Sequence, residues 1–147
     1  MDMSGEYRIE ASIDTVWAAI QNPDILKAAI PGCEELDKTS DTEMSAKVSL
    51  KIGPVKAKFA GEVELQDMIE PTSLKIQGEG KGGIAGFAKG GADVQLAADG
   101  DETILTYTAK AQVGGKIAQL GSRLIQSTAA KLADKFFANL KDQIANT

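Results

Sequence analysis

At 147 residues and 15.4 kDa, with 43% hydrophobic and 25% charged residues, the chain is sized for one soluble globular domain that needs no disulfide or metal staple. The absence of histidine excludes Ser-His-Asp and Cys-His catalysis and His-ligated metals, and a single cysteine, Cys33, excludes disulfide frameworks and cysteine-rich metal sites. A net charge of −5 opposes binding to phosphate backbones, so no nucleic-acid partner is expected, although residues 116–147 hold five basic against two acidic side chains.

Met1–Glu10 lacks the apolar stretch of a signal peptide, and no segment reaches the roughly 20 apolar residues of a membrane span, so the expected location is the cytoplasm. Glu6–Ile13 alternates, with Tyr7, Ile9, Ala11 and Ile13 on one face, which predicts a half-buried strand. Asp14 reads as a helix N-cap for Thr15–Gln21, and Asn22-Pro23 breaks that helix before a second short one over Asp24–Ile30. From Cys33 to Gly115 the period is two. Strands are expected over Glu43–Ile52, from Val55 through Leu65, from Leu74, over Ala92–Ala98 and from Leu105 to Val113, with turns at Gly53-Pro54, Glu70–Ser73 and Asp99–Asp101. Lys116–Thr147 has no proline and one glycine, and its apolar residues recur at helical spacing, predicting a long amphipathic C-terminal helix. The expected fold is a single α+β domain over residues 1–147: a curved antiparallel sheet of about six to seven strands gripping that helix, with two short helices after the first strand.

This order of elements resembles the helix-grip arrangement of the START-like (SRPBCC) superfamily. Short motifs narrow it: Val16-Trp17, Ile30–Cys33 (IPGC), Lys51–Val55 (KIGPV), Phe59–Gly61 (FAG), Gly114–Gly121 (GGKIAQLG) and Phe136-Phe137. In that order, over nearly the whole chain, they resemble the CoxG-like family of carbon monoxide dehydrogenase subunits. The resemblance implies an accessory role beside a molybdenum-containing carbon monoxide dehydrogenase, help in associating that enzyme with the cytoplasmic membrane, and a hydrophobic ligand between sheet and helix. Many members of the family are longer, with an apolar C-terminal extension; with the chain ending at Thr147, the expectation is weak peripheral membrane contact through the C-terminal helix or a purely protein-bound role.

Gly78–Gly83 matches G-x-G-x-x-G, but a dinucleotide site needs a helix to follow, and here the sequence runs on into a strand. Two readings stand: a hairpin bent where side chains are missing, and a mobile flap over a cavity. Trp17 likewise fits either core packing or a cavity wall. Small residues on the inward positions (Ala46, Ala57, Gly61, Ala109, Ala111) favour unfilled volume. The candidate cavity residues are Trp17, Leu26, Ile30, Phe59, Phe87, Tyr107, Leu120 and Leu124, suited to a lipid- or quinone-like ligand, with Tyr107 the best polar anchor. Cys33, beside Glu34 and Glu35, reads as a packed thiol rather than a reactive one. No carboxylate has the apolar setting that catalysis requires, and no metal or cofactor is expected. The sequence therefore points to a non-catalytic binding protein; the alternative is a cavity enzyme of the cyclase or hydrolase type, with Tyr107, Thr106 or Thr108 turned inward.

Overall fold

The computed structural model describes residues 1–146; Thr147, the last residue of the expected C-terminal helix, lies outside them. Seven strands run β1 (Asp2–Ile9), β2 (Cys33–Lys38), β3 (Glu43–Ile52), β4 (Val55–Ile69), β5 (Ser73–Lys81), β6 (Phe87–Asp99) and β7 (Glu102–Gly114). They form one antiparallel sheet in the order β1-β7-β6-β5-β4-β3-β2. Two helices, α1 (Ile13–Ala19) and α2 (Pro23–Ala29), follow β1, and α3 (Ser122–Ala145) crosses the inner face of the sheet.

Local chemistry explains where the elements begin. The first strand ends at Ile9 and the helix starts at Ile13 because Ser12, not Asp14, is the N-cap: its Oγ accepts from the Thr15 N–H at 3.3 Å. Asp14 sits in the first turn, where its charge complements the helix N-terminus. Asn22-Pro23 ends α1 and also starts α2, since the Asn22 side chain accepts from Asp24 and Ile25 while Pro23 takes the first turn, where its missing N–H costs nothing. The C-terminal helix begins later than its periodicity suggests. Residues 116–120 form a short 3-10 turn, and Gly121, at φ +94°, bends the chain into α3.

Large apolar residues concentrate in one half of the molecule. Ile9, Val16, Trp17, Leu26, Leu105, Phe137, Leu140 and Ile144 belong to one continuous buried cluster under α1, α2 and the second half of α3. Thr103 is fully buried there, its hydroxyl donating to the Ala11 carbonyl at 2.8 Å. At the other end a smaller cluster gathers Phe59, Ala85 and Ile117, packed by Leu50, Val55 and Leu120.

Candidate functional site

Between the two clusters lies a cavity of about 440 Å³, within the range of sites that take a small organic ligand. Strand register explains why it is empty. Ala46, Gly61, Gly80 and Ala88 lie opposite one another across β3–β6, and the neighbouring row runs Val63, Gly78, Gly90 and Ala111. These residues offer at most a methyl or isopropyl group, so much of the floor is backbone. Gly90 has to be glycine, since a Cβ there would run into the Lys110 carbonyl; at Gly80 the nearest atom would be Phe59 Cβ at a comfortable 3.8 Å. The roof is α3, which presents Ile125, Thr128, Ala129 and Leu132, a single face at i, i+3, i+4 and i+7. Leu50, Ile52, Phe59 and Ile117 close one end, and Ile30, the C-cap of α2, also lines the cavity.

Thr128 brings the polar side chain to this lining. Glu62, Glu79 and Lys89 border the cavity through their backbone; they alternate with the floor residues along their strands and are exposed. A larger depression, about 820 Å³, lies among exposed strand residues such as Glu43, Glu64, Lys89 and Lys110, and is a charged, solvated surface.

The expected cavity residues separate by place. Ile30 and Phe59 line the cavity. Trp17 and Leu26 belong to the packed half, 6% and 7% exposed. Tyr107 stacks with Phe137, centroids 5.5 Å apart, in an aromatic group with Tyr7 and Phe136. It lies outside the cavity lining, its strand position two rows away from the floor. Leu120 packs against the smaller cluster. Phe87 falls on the outer pleat with Lys89 and lies over Gly114, and Leu124 reaches over the β3–β4 turn at Gly53; both are among the exposed large apolar residues. Of the five small residues that marked unfilled volume in the sequence, Ala46, Gly61 and Ala111 are in the lining and Ala57 and Ala109 are not; Gly78, Gly80, Ala88 and the α3 face went unassigned.

The titratable groups with shifted behaviour lie away from the cavity. Burial pushes the Tyr7 hydroxyl well up, reinforced by its 2.8 Å hydrogen bond to Asp134, and burial also raises Tyr107. Burial likewise raises the half-buried Cys33 thiol, which donates to the Glu35 carbonyl at 3.3 Å; this matches a packed thiol. Glu34 is held low by the Ser49 hydroxyl and then by Lys58. Among the described residues no group of acidic and cysteine side chains could hold a metal, and no helix is long and apolar enough to cross a membrane. The G-x-G-x-x-G stretch opens no α-helix. β5 and β6 pair through it up to Lys81↔Phe87, and residues 83–85 form the turn, so it is a hairpin whose Gly78 and Gly80 belong to the cavity floor.

Solved structures share this architecture. A conserved protein from Geobacillus kaustophilus is 30% identical with a TM-score of 0.92, over 99% of this chain and 96% of its own. A START superfamily protein from Mycobacterium smegmatis is 13% identical with a TM-score of 0.74, over 99% and 97% of the two chains. The Zhui aromatase/cyclase from Streptomyces sp. R1128 is 9% identical with a TM-score of 0.71, over 99% and 93%. No curated protein sequence matches. The family model for the carbon monoxide dehydrogenase G-subunit (CoxG) matches residues 5–145. With its START-like helix-grip fold and that match over nearly its whole length, the chain belongs to the CoxG family of carbon monoxide dehydrogenase subunits.

Proposed function

We propose that the protein is a non-catalytic carrier that holds a hydrophobic, lipid- or quinone-like molecule in the sheet–helix cavity. It does so as an accessory to a carbon monoxide dehydrogenase-type enzyme, helping to place that enzyme at the cytoplasmic face of the membrane. The observation that carries the reading is the lining: about 440 Å³ walled by backbone and apolar side chains, with Thr128 as its polar side chain. Such a space favours transfer of an apolar solute out of water and offers one hydroxyl for orientation. The family match supports the enzyme partner. A cyclase-type reading gains from the shape shared with an aromatase/cyclase, but general acid–base work needs a titratable group at the ligand. Tyr107, the side chain that would serve, is in the aromatic stack instead.

Gly80→Leu tests the reading. The new side chain projects into the cavity from a position that accepts a Cβ without backbone conflict. The native protein is expected to take up diphenylhexatriene, seen as a fluorescence gain, and to release a small apolar molecule on organic extraction after native purification. The variant is expected to lose at least about tenfold in probe uptake while keeping its circular dichroism, because the filling group removes the space itself. Equal uptake by both proteins would remove the cavity from the function.

A further inference from the structure

Charge is sorted between the two ends of the sheet. The β3–β4 and β5–β6 turns and the β7–α3 connection lie at one end; the β2–β3, β4–β5 and β6–β7 turns lie at the other. Residues 49–58, 80–88 and 113–124, which build the first end, carry six basic residues and no acidic one, with Glu34 of β2 the acidic side chain that reaches them. Residues 39–43, 67–73 and 97–103, which build the second, carry seven acidic residues, of which Asp99 and Glu102 pair with Arg8 and Asp67 with Lys75. Of the six cations, Lys58 reaches Glu34 at 3.7 Å; Lys51, Lys56, Lys81, Lys116 and Arg123 have no ion-pair partner among the described residues.

The same basic end exposes large apolar side chains. Ile84, at the tip of the β5–β6 turn, is 92% exposed, and Phe87 and Leu124 are 40% and 37% exposed. Ile52, the last cavity-lining residue of β3, lies beside the Gly53-Pro54 turn, so the cavity reaches this end. Of the C-terminal helix expected to make such contact, only the first turn, with Arg123 and Leu124, belongs to this end; farther along α3, Phe137 is buried and Phe136 packs against the core cluster.

We propose that the basic end, with Ile84, Phe87 and Leu124 inserted below a girdle of lysines, is the surface that docks on an anionic lipid bilayer. The inference deepens the carrier reading and rests on it, since docking there brings the cavity to the source of an apolar ligand. Three apolar side chains on two segments, the β5–β6 turn and the start of α3, suit hydrocarbon, which moulds around any shape, better than a fixed protein pocket. The cations match anionic headgroups, and the acidic far end turns the net-negative molecule so that only the basic end faces such a surface.

Co-sedimentation of the full chain with vesicles tests this. Binding is expected to equimolar phosphatidylglycerol and phosphatidylcholine, not to phosphatidylcholine alone, and to weaken as salt screens the girdle. Lys56→Glu with Lys116→Glu, and separately Ile84→Asp, are each expected to lower the bound fraction at least about tenfold. The charge-matched Lys38→Glu with Lys135→Glu, away from this end, is expected to leave it within about twofold. Equal binding by wild type and loop-end variants, equal binding to neutral vesicles, or no binding to either overturns the docking surface. Diphenylhexatriene uptake without vesicles is read in parallel on every variant, so loss of docking with intact uptake refutes the docking surface alone, whereas absent uptake refutes the carrier reading.

Discussion

From Phe136 to Ile144, α3 lies on a sheet that offers Ile9 and Leu105, with Val16, Trp17 and Leu26 filling the remaining space; Leu140 is fully buried. From Ile125 to Leu132 the same helix faces the same sheet, but there the strands offer Ala46, Gly61, Gly80 and Ala88. One helix and one sheet therefore make a core at one end and a container at the other, and the difference is side-chain volume on the floor. A close-packed interior tolerates few voids larger than a water molecule, so an unfilled space of this size marks a place where packing has been given up.

Truncating a leucine at each end tests that contrast most strongly. Leu140→Ala is expected to cost about 3–4 kcal/mol, because it removes contacts and leaves a new void in a packed region. Leu132→Ala borders space that already exists and is expected to cost roughly 1 kcal/mol. Urea denaturation measures both, and equal costs would mean that the cavity is collapsed in solution.

A second pair replaces a hydroxyl at each end. Thr103→Val leaves the Ala11 carbonyl without its donor in a buried site and is expected to cost about 1–2 kcal/mol. Thr128→Val, facing the cavity, is expected to change stability by less than about 0.5 kcal/mol while altering which apolar probes bind. Comparable losses in the two melts would place Thr128 in a packed, satisfied setting.

The smallest effect appears in alkali and concerns the packed half alone. Tyr7 titrates higher in the folded protein than its ordinary value of 10.0. The unfolded chain therefore releases that proton first, and the stability contributed by Tyr7 is fully present below about pH 10 and lost as the pH rises above it. Tyr7→Phe is expected to flatten the fall in thermal midpoint above pH 10, leaving the shallower slope due to Tyr107. An unchanged slope would mean that the aromatic stack does not shield the hydroxyl.

Strand alternation, turn residues and helical spacing were legible in the sequence, because each depends on neighbours a few positions apart. The location of the cavity was legible only in part. Trp17, Leu26 and Tyr107 are apolar or amphipathic residues that point inward, yet inward positions exist in both the packed and the hollow half. What separates the halves is register across strands, which aligns Gly61 with Gly80 and Gly80 with Ala88 over 27 residues of chain, and no local pattern encodes that alignment. Phe87 shows a related difficulty. Its hydrophobicity says inside, while its parity with Lys89 and Asp93 along β6 puts it outside.

The position of β1 in the sheet has a consequence for the order in which the molecule is completed. Every other neighbouring pair joins strands consecutive in sequence, from β2 with β3 to β6 with β7, so those hairpins form from contacts that are close along the chain. The first strand instead pairs with the last, Asp2 with Lys110 and Ile9 with Thr103. On the ribosome, β1 has to wait, solvent-exposed and unpaired, until most of the protein has been made. Loop-closure entropy makes this long-range pairing the costliest contact in the sheet to close. Until it forms, β7 presents an open edge, and the Tyr7 ring lacks its stacking partners on β7 and α3.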